Sequence, residues 1–184
     1  MQHRIPHQQA AESGPVGPGG ADIEAHLSAQ LAAVVAGARR RALRDGDRQI
    51  DTAHLLHTLL ESDPEVRETF ESGPQVARLL GYLVQRSIGY GLRWQSSVED
   101  SGAVPTVTVD ATEGGWSPVA AGVMAAAYAR AALRGDPHAD GVDLLAALAA
   151  EPEARAVEVL GRAGIDVREL LARLDGAAER GVEA

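Results

Sequence analysis

Apolar side chains recur at steps of three and four along most of this protein. In the first such stretch they fall at Ile23, Leu27, Leu31, Val34, Val35, Ala38 and Ala42, a single stripe along one face of a helix. Asp22 or Ser28 offers its N-cap and Gly46 its C-terminal stop. Asp51-Thr52 opens a second helix carrying Leu55, Leu56, Leu59 and Leu60. Asp63-Pro64 ends that helix and starts a third, with Val66 and Phe70. Gly73-Pro74 starts a fourth, whose stripe is Val76, Leu79, Leu80, Leu83, Val84 and Ile88.

The later pattern is cleaner. Ser117 followed by Pro118 is a cap with proline at the first helical position, where its missing N–H costs nothing. That helix runs to Arg134 and stops at Gly135. Asp140 or Gly141 precedes a sixth, which Glu151-Pro152 ends. A seventh spans about Ala154 to Ala163, and Asp166-Val-Arg-Glu169 is a capping-box pattern for an eighth that buries Val167, Leu170, Leu171 and Leu174. Between the two sets the sequence is irregular, with a short alternating run, Val104 to Val109, suited to an extended connector or small hairpin.

The two sets match at one offset. Ser28 pairs with Ser117, 89 residues on (117 − 28), and the same shift pairs Val34 with Val123, Ala38 with Ala127, Arg41 with Arg130, and Gly46 with Gly135. It also pairs Leu55-Leu56 with Leu144-Leu145 and Leu59 with Leu148. Coincident caps and stops carry more weight than coincident alanines, so an internal duplication is expected. The division that follows is a disordered tail over 1–21, a first repeat over 22–88, a connector over 89–116, a second repeat over 117–178 and a short tail over 179–184. The first segment, rich in Gly, Pro and Gln, has too little apolar surface to offset the entropy of ordering it.

Composition narrows the function. Apolar residues make up 45% of the sequence but aromatics only 3%, so the core is built of Ala, Leu and Val, which suits closely packed helices. There is no cysteine, which excludes disulfides and thiolate chemistry. All 17 basic residues are arginine, which excludes a Walker A lysine and a Schiff base. The formal charge of −9 opposes nucleic acid and anionic membrane. No apolar run reaches the ~20 residues of a membrane span. No export signal is visible, so a cytoplasmic location is expected.

In order and spacing these features resemble the Clp N-terminal (Clp R) repeat domain. That family has two tandem four-helix repeats, each with Thr/Ser-Pro before an Ala-rich helix, then Gly, Ile and Thr-Glu-His-Leu-Leu, then a closing Leu-Gly-Ile/Val-Asp. Here the second repeat supplies Ser117-Pro118, Gly135, Leu144-Leu145 and Leu160 to Asp166; the first supplies Gly46, Ile50 and Thr52-Ala53-His54-Leu55-Leu56. The resemblance covers about Asp22 to Leu174. It implies an all-α fold of two pseudo-symmetric four-helix repeats and a non-enzymatic protein- or peptide-binding role. The implied partners are Clp unfoldase or protease components, adaptor or substrate proteins, or peptide-like ligands. The sequence departs from the family where members that recognise phosphorylated arginine use a Glu pair to hold the guanidinium. Ala53 and Val142 stand there and offer no carboxylate, so that activity is not implied.

Candidate chemistry is sparse. His54 and His57 lie i, i+3 on the second helix, but a third ligand and a His-Glu-x-x-His pattern are missing, so packing or capping is the expected role and no metal or cofactor is predicted. Trp116 and its counterpart Leu27 fall at the junction of the repeats, either as anchors for a peptide-like partner or as buried locks on the connector. Arg39, Arg40 and Arg44 form the basic face, a secondary partner site or a solvated helix end. The rival functions are a small helical DNA-binding regulator using that arginine face, and a metal-dependent hydrolase built on the histidines.

Overall fold

A computed structural model describes residues 27–87, Glu99 and 115–182, with side chains to Gly176. The expected tail over 1–21 and most of the connector, including Val104 to Val109 and Ile88, lie outside the described residues. Eight helices form among the described residues. They are α1 (Ala29–Asp45), α2 (Thr52–Ser62), α3 (Pro64–Glu68), α4 (Gly73–Ser87), α5 (Pro118–Arg134), α6 (Gly141–Ala150), α7 (Arg155–Arg162) and α8 (Val167–Val182). Two short strands, β1 (Gln49–Ile50) and β2 (Gly115–Trp116), pair in parallel. The fold is all-α, and none of its described helices is long and apolar enough to cross a membrane.

The predicted punctuation sets the boundaries. Ser28 accepts from the Leu31 N–H at 3.1 Å and Ser117 from the Ala120 N–H at 3.0 Å, each satisfying an orphan amide of its helix. Gly46 and Gly135 take φ of 76° and 83°, the left-handed conformation that favours glycine. Behind them the Asp47 N–H reaches Ala42 O, and the Asp136 N–H reaches Ala131 O, both at 2.9 Å. Asp51 and Asp140 each close a capping box, with His54 and Asp143 respectively. Each of these pairs is 89 residues apart, so the sequence offset reappears in the cap chemistry.

Helices α2 and α6 are the centre. Every residue from Thr52 to Leu60 is buried, and so is every residue from Asp143 to Ala149. Helices buried on every face must be covered on all sides. Here α1 packs on α2 and α5 on α6, while α2 also meets α6 and α7, and α6 meets α3 and α8. One contiguous core therefore runs through both halves. It leaves Val84 out: placed in the α4 stripe by its spacing, Val84 is 49% exposed, because Val76, Leu79 and Leu83 already fill the face that turns inward.

The halves are sewn together reciprocally. Ile50, at the end of the first inter-helix loop, pairs with Trp116, just before α5. Ala139, at the end of the matching loop in the second half, bridges to Leu27, just before α1. The Ser117 N–H donates to Ile50 O at 2.9 Å and the Ser28 N–H to Ala139 O at 3.0 Å. Strands this short carry no readable alternation, and the hydrophobic pattern predicts none here.

Candidate binding site at the seam

Leu27 and Trp116 sit in this seam, each 7% exposed, with their backbones in the two bridges. Of the two roles read for Trp116, such burial fits a lock between the halves; as placed, neither side chain offers an open face to a partner. Arg40 and Arg44 are exposed on the last turns of α1, Arg39 is half-buried, and Leu43 beside them is 58% exposed. The structure brings Leu27 and Trp116 to the seam and keeps the arginine face on α1.

Beneath the seam lies an ionic cluster that sequence reasoning misses. Asp51 is 3% exposed. One of its oxygens caps α2, and the other receives Arg155 Nη1 at 2.6 Å and an Arg86 nitrogen. Arg86 also reaches Asp47 at 3.2 Å. His54 is fully buried: its Nδ1 accepts the Asp51 N–H at 3.1 Å and its Nε2 faces Asp47 Oδ2 at 3.1 Å. Burial pushes the Asp51 carboxyl up, but the hydrogen bonds and charge of His54, joined by the charge of Arg86, hold it well below the usual range. Burial pushes His54 down, yet the carboxylates of Asp47 and Asp51 more than offset that and raise it above its ordinary value. Asp51 was legible as a cap; Arg86 and Arg155 carried no local signal.

Asp47, Asp51 and His54 place donor atoms within 4.8 Å of one another, as a metal site requires. Two guanidinium groups already neutralise those carboxylates, and a divalent ion would have to displace or repel them. The histidines named from sequence do not converge either. His57 turns its Nε2 to Glu61 at 3.3 Å, and Glu61 is held by Arg41. Burial, with the charge of Arg41, pushes His57 down to about 4, so it is neutral at pH 7. His54 caps α2 and His57 packs in the core.

Glu99, from the connector, is 4% exposed and enters the same seam. One oxygen accepts the Thr52 hydroxyl and the Arg155 N–H at 2.7 Å; the other accepts the Thr52 N–H at 2.9 Å and the Ser117 hydroxyl at 2.8 Å. The Ala156 N–H donates to the Thr52 hydroxyl oxygen at 3.1 Å. The starts of α2, α5 and α7 thus converge on one carboxylate. A single glutamate in a connector gives no periodic or capping signal, so sequence reasoning passes it by.

Comparison with solved structures places this architecture. The protein is similar to the N-terminal domain of the caseinolytic protease associated chaperone ClpD from Arabidopsis thaliana, with a TM-score of 0.58 and 16% identity over 87% of this chain and 99% of that one. The fold is that of a Clp N-terminal domain. A second similar structure, from structural investigations of a malarial protein secretion system, has a TM-score of 0.61 and 17% identity over 84% of this chain and 96% of that one. No family model and no curated protein matches the sequence. At the positions of the Clp family's glutamates, Ala53 is fully buried and Val142 half-buried.

Proposed function

We propose that this protein is a non-enzymatic protein- or peptide-binding module of the Clp kind, acting in the cytoplasm as an adaptor, regulator or ligand decoy of a Clp protease system. The observation that carries the reading is the whole-length likeness to a Clp N-terminal domain, nearly all of which is matched. A domain with that fold and no nucleotide loop in its sequence works by docking. The partner-facing surface in this proposal is the α1 face of Arg39, Arg40 and Arg44, held on the rigid frame that Leu27 and Trp116 lock together at the seam. Arginines beside the exposed Leu43 suit an acidic, partly apolar polypeptide. The test is a binding titration of the purified protein against a purified Clp unfoldase and against a soluble unfolded protein. Saturable binding that weakens at least tenfold in Arg40→Glu/Arg44→Glu supports the reading, and the absence of binding to either protein refutes it. A parallel anisotropy titration with duplex DNA at low salt addresses the DNA-binding alternative, which requires tight, salt-steep binding.

A further inference from the structure

The surroundings of Glu99 separate into a receptor and an occupant. The receptor is four donors fixed by secondary structure: the first backbone N–H of α2, the first of α7, the Thr52 hydroxyl and the Ser117 hydroxyl. They divide two and two between the oxygens, which uses the four lone-pair positions of a planar carboxylate. The positive ends of two helix dipoles add to the attraction. The occupant is a side chain 47 residues from Thr52 and 56 from Arg155 in sequence.

The matching place in the other half shows what is unusual. There the start of α6 meets the start of α3, and a Cβ on Gly141 would collide with Asp63 Oδ2. Asp63 is the local cap of α3, accepting from the Glu65 and Val66 N–H groups at 3.0 and 3.2 Å. Its carboxylate cannot leave without uncapping its own helix. Helix α7 instead has Ala154 as its N-cap residue, whose methyl group cannot accept a hydrogen bond. Its leading amide is buried and must find an acceptor, and the acceptor comes from a distant part of the sequence.

We propose that the Glu99 position is a carboxylate-binding site which the protein fills with its own side chain, so that Glu99 excludes an acidic side chain or the terminal carboxylate of another polypeptide. The inference stands apart from the partner surface proposed on α1, and its test uses small anions only, so the two fail separately. The full-length protein carrying Glu99→Ala is melted with increasing sodium formate or acetate against sodium chloride at equal ionic strength. The variant melts below wild type, and formate or acetate raises its midpoint by roughly 3–6 °C over chloride at tens of millimolar. Wild type shows no such difference, because its site is filled. Adding Thr52→Val to the variant abolishes the effect. If Glu99→Ala does not fold in chloride, formate restores its helical circular dichroism. An equal response of wild type and variant, or no carboxylate-specific response in either assay, overturns the proposal. Phosphate and sulfate form a separate arm: a tetrahedral anion that outperforms formate overturns the assignment to carboxylates.

Discussion

The loops joining α1 to α2 and α5 to α6 solve one problem with opposite charges. In the first half the buried residue at the third position of α2 is His54, facing Asp45, Asp47 and Asp51. In the second half the matching residue is Asp143, held by Arg134 through both terminal nitrogens and approached by Arg130 at 3.9 Å. Asp45 and Arg134 also stand 89 residues apart, so the base faces an acid in one half and the acid faces a base in the other. Both arrangements return a ring nitrogen or an oxygen to the backbone N–H of the N-cap. The capping box asks for an acceptor at that position and is indifferent to the sign of the charge behind it. The halves differ in reach: the second pair is local to α5 and α6, whereas the first draws in Arg86 from α4 and Arg155 from the other half.

Breaking the first cluster is therefore expected to cost most. Asp51→Ala removes the α2 cap and strips the shared buried carboxylate from both Arg155 and Arg86, although Arg86 keeps Asp47 at 3.2 Å. A loss of about 4 kcal/mol in urea-unfolding free energy is expected. Asp143→Ala breaks the matching pair, but Arg134 keeps Asp136 at 3.0 Å and access to water. About 3 kcal/mol is expected there, and a larger loss than for Asp51→Ala would reverse the ranking of the two halves.

Helix approach offers a finer comparison. Gly37 on α1 lies so close to α2 that a Cβ would stand 2.5 Å from Thr58 Cγ2, while the matching residues in the second half are Ala126 and Ala147. Gly37→Ala is expected to cost roughly 1–2 kcal/mol through overpacking. Combining it with Thr58→Ala installs the alanine pair of the second half, and the double variant should recover most of that loss, since alanine is the better helix former. Failure of the double variant to recover would place the strain elsewhere.

The smallest expected effect is on the pH dependence that His54 and His57 contribute, which arises in one half only, because Asp143 and Ala146 stand at their positions in the other. The raised His54 contributes stability that is complete below the ordinary histidine value of 6.5 and is lost as pH rises through its folded value. The lowered His57 acts on the other side: the unfolded state takes the proton first, so stability falls as pH drops from 6.5 to about 4. Unfolding followed by tryptophan fluorescence across pH 4–9 should show a flatter acid limb in His57→Gln and a flatter alkaline limb in His54→Gln.

How much of this was legible follows from the range over which each feature is encoded. Ser28, Gly46, Asp51, Ser117, Gly135 and Asp140 satisfy amides or carbonyls within a few residues of themselves, so their chemistry shows in the sequence. The α1, α2, α5 and α6 stripes are equally local, as is the match between them at one offset. Val84 was misplaced because periodicity marks a face but not its width.

The sequence by itself therefore determined the helices, their ends, the all-α class and the likeness to a Clp N-terminal domain. The tertiary structure alone decided the reciprocal bridges at Ile50–Trp116 and Leu27–Ala139, the burial of both seam residues, the guanidinium groups around Asp51 and the seat of Glu99. Those contacts join groups up to 112 residues apart (139 − 27). Their partners are chosen by which backbone amides and charges the packed helices leave unsatisfied, and that is settled only once the helices have come together.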